Sequence, residues 1–104
     1  MESFSQRVYE KLRLVPKGRV TTYKELGMSL GTKAYRAVGN ALRNNPYAPE
    51  VPCHRVVASD GRIGGFMGRK RGEKIEKKIQ MLKEEGIQFA EHKVSDFEKV
   101  LFRF

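Results

Sequence analysis

Thr22-Tyr23-Lys24-Glu25 limits how this chain can fold more than any other short stretch. The Thr22 hydroxyl can accept a hydrogen bond from the amide three residues on while Glu25 reaches back, a capping box that predicts a helix from Thr22 to about Leu30. Gly31-Thr32 breaks the pattern. A second short helix is predicted from Lys33 to about Arg43, with Ala34, Val38, Ala41 and Leu42 as its apolar face. Two short helices about a tight glycine turn have the outline of a helix-turn-helix, a weak signal alone because many helical hairpins bind nothing. Here the second helix exposes Lys33, Arg36, Asn40 and Arg43, and the small side chains of Ala34, Ala37, Gly39 and Ala41 would let its backbone approach another surface closely.

The flanking segments read as follows. Ser3 to Leu14 sets Phe4, Val8 and Leu12 on one face at helical spacing, with Val15 beyond, and Pro16-Lys17-Gly18 ends that helix in a turn. After the helical pair, Asn44-Asn45-Pro46 stops the second helix, and Pro46, Pro49 and Pro52 stiffen the loop that carries Cys53. Val56-Val57-Ala58 reads as a strand, Ser59-Asp60-Gly61 as its turn and Arg62-Ile63 as the return leg. Gly64-Gly65-Phe66-Met67-Gly68 holds too much glycine for a regular element; it suits a linker, or a wall where backbone passes close to a ligand. A long helix is predicted from about Arg69 to Glu85, with Ile75, Ile79, Leu82 and Met81 buried, lysines elsewhere and Gly86 as its stop. Arg69-Lys70-Arg71 falls at the start of that helix, where the dipole disfavours cations, so it fits nearby phosphates or a solvated patch. The apolar residues between Ile87 and Phe104 imply a tail folded back on the core. The expected fold is mainly α with a small β-hairpin, a winged helix-turn-helix-like arrangement, with residues 1–104 as a single domain.

Composition narrows the function classes. One cysteine excludes an intrachain disulfide and a multi-cysteine zinc site, and the two histidines, His54 and His92, stand far apart without ligand-like spacing, so no metal is expected. No apolar run approaches membrane-spanning length, and a cytoplasmic or nuclear setting without membrane contact is expected. Lysine plus arginine at 21 against 12 acids gives a net charge of +9, a positive field that would attract a polyanion, nucleic acid first, unless the lysines merely solubilise the surface.

The cysteine lies in Pro52-Cys53-His54-Arg55. A thiol beside an imidazole, behind a torsion-restricting proline and next to a guanidinium, has the makings of an activated nucleophile, because thiolate is the attacking form and a base or cation raises its fraction. A lone cysteine is also commonly just a small buried hydrophobe.

Taken in order, the capped helix, the turn, the slim basic helix with Arg36-Ala37-Val38-Gly39, then Asn45-Pro46, Pro52-Cys53-His54-Arg55-Val56, a glycine-rich loop and a helix ending Glu84-Glu85-Gly86 resemble the DNA-binding, catalytic domain of the O6-alkylguanine-DNA alkyltransferases. The resemblance runs from Phe4 to about Gly86. It implies that Cys53 accepts an alkyl group from O6 of guanine once, that His54 serves as its base through a bound water, that Glu85 orients His54, and that Asn45 braces the loop. It also implies duplex DNA containing O6-alkylguanine as the partner, entered from the minor groove. Arg36 would take the space of the extruded nucleotide and Tyr23 would press on the backbone. Lys33, Ala37, Asn40 and Arg43 complete the implied DNA-binding face, and Tyr23, Val56, Gly65, Phe66 and Met67 the implied substrate pocket. Neither cofactor nor metal is implied, and a monomer is expected.

Three departures from the family pattern bear on this. Phe66 stands where tyrosine is usual, so its ring can stack but cannot donate; Met67 stands where a small residue is common; and the family's separate amino-terminal domain is missing, so this domain is expected to bind DNA alone. A non-enzymatic alkyltransferase-like protein, which binds alkylated DNA and signals other repair, is the main alternative, although such proteins replace the nucleophile with tryptophan and this chain has none. A helix-turn-helix regulator with an incidental thiol would leave Cys53, His54 and Glu85 unexplained.

Overall fold

The structure, a computed structural model, describes residues 3–64 and 72–104. Ser3 caps the first helix, α1 (Phe4–Leu12), by accepting from the Gln6 amide at 3.1 Å. The helix ends before Leu14, which is exposed, while Val15 turns back into the core. Strand β1 (Thr21–Thr22) runs directly into α2 (Tyr23–Ser29). Thr22 is the N-cap, accepting from the Glu25 amide at 3.0 Å as the capping box predicts, while the Glu25 carboxylate meets Arg103 of the tail at 3.5 Å.

The next helix, α3 (Tyr35–Arg43), starts later than the expected Lys33. The Thr32 hydroxyl accepts the Ala34 amide at 3.0 Å, a local side-chain turn that competes with helical bonding. Lys33 and Ala34 therefore precede the helix; Ala34 is exposed rather than part of the apolar face, and Ala41 is buried rather than on the slim outer surface. α1 packs on α2 and α3, burying Val8, Leu12, Leu26 and Val38 completely, each such side chain contributing about 1.5–3 kcal/mol. Tyr9 joins the pair by donating its hydroxyl to the Ala41 carbonyl at 2.8 Å.

The expected hairpin at residues 56–63 takes a different form. Strand β2 (Val56–Val57) pairs in parallel with β1, Thr21 opposite Val56 and Thr22 opposite Val57. The turn after it does close, with Ala58 N donating to Arg62 O at 2.9 Å, but Arg62 then bridges to Lys93 of the tail. The fold's antiparallel hairpin lies later, between β3 (Phe89–Ala90) and β4 (Lys93–Val94). Local turn residues at Ser59-Asp60-Gly61 signalled the reversal correctly; which edges pair was settled by the long-range approach of β1.

The long helix, α4 (Glu73–Glu84), is shorter than the expected run from Arg69. Gly72 has φ of 97°, outside helical space, and the first turn carries Glu73 and Glu76, a favourable match to the helix dipole. Arg69-Lys70-Arg71 lies outside the described residues. Gly86, at φ of 94°, follows the last turn as the expected stop. The tail folds back as expected: Ile87, Val94 and Leu101 are buried, and Leu101, following the short helix α5 (Phe97–Val100), bridges in parallel to Val20. Phe102 N donates to Val20 O at 2.6 Å, Thr21 Oγ1 to Phe102 O at 3.0 Å, and the Arg19 guanidinium to the carbonyls of Val100 and Leu101. The tail thus covers the free side of β1. The architecture is mainly helical with small two-stranded sheets.

Gly27 sets how closely α2 meets the start of α3: a Cβ there would lie 2.7 Å from Tyr35 Cε1 and 3.2 Å from the Thr32 carbonyl. Alanine gains roughly 1 kcal/mol of helix propensity over glycine, but overpacking costs about 1–3 kcal/mol. Gly27→Ala is therefore expected to lower stability by about 1 kcal/mol in urea unfolding, against the propensity trend; a gain would mean that the Tyr35 ring moves aside freely.

Candidate active site

Cys53 opens a 3-10 turn, Cys53–Arg55, set between the proline-rich loop and β2. Pro52 is buried ahead of it, and the Cys53 amide donates to Val51 O at 2.8 Å. Asn45 shapes this loop from inside: its Nδ2 donates to Val51 O at 2.9 Å and its Oδ1 accepts from the Tyr47 amide at 2.9 Å. Cys53 is 7% exposed. Burial pushes its thiol above its ordinary pKa, and the Asn45 side chain and the positive charge of Lys78 pull it partly back. The thiolate therefore does not form unaided at neutral pH.

The turn puts His54 on the side facing α4. His54 Nε2 and Glu85 Oε2 are 2.8 Å apart, and the same carboxylate receives two bonds from Arg55, Nε to Oε1 and Nη2 to Oε2, each at 2.9 Å. The remaining Arg55 nitrogen donates to Val15 O at 2.9 Å. Burial would raise Glu85, but the hydrogen bonds and charges of Arg55 and His54 outweigh it and hold the carboxyl below its usual range. Burial pushes His54 down, against the opposing pull of Glu85. The geometry qualifies as a salt bridge only if His54 is protonated; with its side chain 3% exposed and Arg55 already neutralising Glu85, a neutral imidazole is the better description. A neutral ring facing a carboxylate donates from Nε2, which leaves Nδ1 as the basic nitrogen. Nδ1 is buried and has no hydrogen-bond partner among the described residues. A groove lined by Lys17, Met81 and Glu84 opens beside the His54–Glu85 pair.

Tyr23 reaches the same place from α2. It is half-buried, its ring lies against Gly64, and burial together with the Cys53 charge raises its hydroxyl pKa. The β1–β2 pairing brings it here, since Tyr23 follows Thr22 and Val56 follows Arg55 directly. Val56 itself is fully buried, so its side chain has no open face. Gly65, Phe66 and Met67 lie outside the described residues.

The outward face of α3 presents Arg36, Asn40 and Arg43 as exposed side chains, with Ala37 half-buried and open space around Gly39; Lys33 is exposed in the preceding turn. Two participants were missed in the sequence. Arg55 was noted only as a neighbouring charge, although it holds Glu85. Lys78 was counted among the solvated lysines of α4, yet it is 0% exposed and donates to the carbonyls of Val56 and Ile63. Its spacing from Ile75, Ile79 and Leu82, on one helical face, was the available signal. Among the described residues there is no cluster of histidine, cysteine and carboxylates able to hold a metal, and no helix long and apolar enough to cross a membrane.

The chain is similar to several known proteins. A "DNA base-flipping protein" of Thermus thermophilus is 53% identical over 64 residues, covering 62% of this chain and 43% of that protein. The O6-methylguanine-DNA methyltransferase of Pyrococcus kodakaraensis superposes with a TM-score of 0.70 at 44% identity, over 84% of this chain and 48% of that one. S. pombe Atl1, solved in complex with damaged DNA containing O6-carboxymethylguanine, superposes with a TM-score of 0.83 at 25% identity over 100% of both chains. The chain thus spans less than half the length of the first two. The family described as 6-O-methylguanine DNA methyltransferase, DNA binding domain, matches residues 3–87, and this protein belongs to that family.

Proposed function

We propose that this chain repairs DNA by moving an alkyl group from O6 of guanine to Cys53, once per molecule. The observation that carries this reading is the buried Cys53 followed by a histidine whose Nε2 is committed to Glu85, leaving Nδ1 as base. The thiol proton passes to Nδ1, directly or through a water. The sulfur then forms a bond to the alkyl carbon as the carbon–O6 bond breaks; the released electron pair restores the O6 carbonyl, and guanine N1 takes up a proton. The product is a thioether on Cys53, which has no easy leaving group, so the protein is consumed.

Duplex DNA with a flipped O6-alkylguanine is the proposed substrate. A base inside the stack cannot reach a buried thiol, so extrusion is required. The α3 face supports it: small residues at Ala37 and Gly39 suit close approach to a groove, Arg36 would fill the vacated position, and Lys33, Asn40 and Arg43 would meet phosphate or base edges. Tyr23, beside Gly64 and near the thiol, would press on the phosphate backbone as the nucleotide rotates. A second reading, lesion binding without transfer, draws on the full-length likeness to the Atl1–DNA complex, but it leaves the Cys53, His54 and Glu85 arrangement without a use.

Incubation with a duplex bearing one O6-methylguanine is expected to add one methyl to the peptide containing Cys53, with a yield capped at one per chain. Cys53→Ser should bind the duplex and gain nothing; binding by the native chain without any mass change would select the second reading. The pH dependence follows from His54. Because burial lowers its pKa from 6.5, the base form persists as pH falls through that value, so the transfer rate should hold level to about pH 6.5 and fall only below it. A midpoint at or above 6.5 would indicate an ordinary exposed base instead. Arg36→Ala is expected to weaken binding to lesion duplex about tenfold while changing plain-duplex affinity little, since a groove-inserting side chain acts when the nucleotide is out; equal losses in titrations of both duplexes would remove that role.

A further inference from the structure

Lys78 is the largest fully buried side chain among the described residues. It sits on the core face of α4, with Ile75 and Ile79 to either side and Leu82 one turn on, where an apolar residue would be expected. A cation is placed there only against a large desolvation cost, unless its donors and charge are used. Its donors are used: Nζ donates to Val56 O at 2.7 Å and to Ile63 O at 2.5 Å. Those two carbonyls bracket the reversal that follows the active-site turn. The first belongs to the residue after Arg55, and the second is next to Gly64, against which the Tyr23 ring lies.

Resting on the alkyl-transfer reading above, we propose that Lys78 is a positioning residue of that reaction: its buried ammonium pins β2 to the start of the glycine-rich loop and stabilises the thiolate of Cys53 through space. α4 packs directly on the Cys53–Arg55 turn, and the Lys78 ammonium is bonded to the carbonyl of Val56, the residue that follows that turn. The influence runs both ways: Lys78 lowers the thiol, and Cys53 raises Lys78, which burial nonetheless holds down at about 7. Other groups with charge to place here are His54 and Arg55 on the turn, Glu85 at the end of α4 and Tyr23 on α2. His54 is neutral, Arg55 is held by Glu85, and Tyr23 is shifted away from ionisation, which leaves Lys78, among the described residues, as the cation that acts on sulfur. His54 removes the proton; Lys78 favours the anion left behind.

The test reads the thiol without DNA. In Lys78→Met, which keeps the apolar stem, the pH midpoint for alkylation of Cys53 by iodoacetamide, followed by intact mass, should rise by about one unit, a tenfold loss of thiolate near neutral pH. Lys78→Arg should recover part of it. With lesion duplex, Lys78→Met should transfer methyl at least about tenfold more slowly at unchanged duplex affinity, because a buried group meets no phosphate. An unchanged midpoint in a cooperatively folded Lys78→Met would overturn the proposal and leave Lys78 as packing alone. If that variant fails to fold, the native protein serves: capping Cys53 with iodoacetamide should lower the Lys78 titration midpoint, read from its 13Cε shift, and an unmoved midpoint overturns the proposal equally. Absence of methyl transfer by the native chain would instead sink the alkyl-transfer reading, while the iodoacetamide measurement still reports on the coupling.

Discussion

The carboxylate of Glu85 holds together parts of the chain that nothing else joins so directly. It belongs to the C-cap residue of α4, takes both remaining bonds of the Arg55 fork and orders His54. Arg55 carries the connection on to Val15, just beyond α1. A planar guanidinium matched to a carboxylate in two places is stiff as well as strong. One carboxylate therefore fixes the last turn of α4, the 3-10 turn and the end of the first helix relative to each other. Without it the imidazole would lose its tautomer and its place together.

Around that point, burial does the chemical work. It drives the thiol up and the imidazole down, separating a proton donor from a base without any ion pair between them. Separated titrations of this kind are how neighbouring groups acquire distinct roles at neutral pH. Glu85 stays ionised in the same surroundings because Arg55 and His54 together outweigh its desolvation. The arrangement tolerates a buried lysine for a related reason: the backbone carbonyls of Val56 and Ile63 receive its ammonium.

The small parallel pairing of β1 with β2 has a larger part than its two residues suggest. It places the residue that begins α2 beside the turn that holds the thiol. The tail secures the outer side of β1 through Val20, Thr21 and Phe102. Gly27 sets the approach of the start of α3 to α2.

Local physics was legible in the chain alone. Thr22 caps α2 because a hydroxyl and an amide three residues apart meet in any helix start, and Gly86 ends α4 because glycine alone enters positive φ cheaply. The triad of Cys53, His54 and Glu85 was readable only through resemblance, since residues 54 and 85 are brought together by packing and not by any period in the sequence. The start of α3 was misplaced because Thr32 binds a nearby amide, and the hairpin at residues 56–63 because turn residues announce a reversal but not which edge the strand will find. Lys78 shows the limit most plainly. Its residue type argues for solvent and its spacing for the core; only the tertiary structure, by offering the carbonyls of Val56 and Ile63 at the end of its stem, decided in favour of the core.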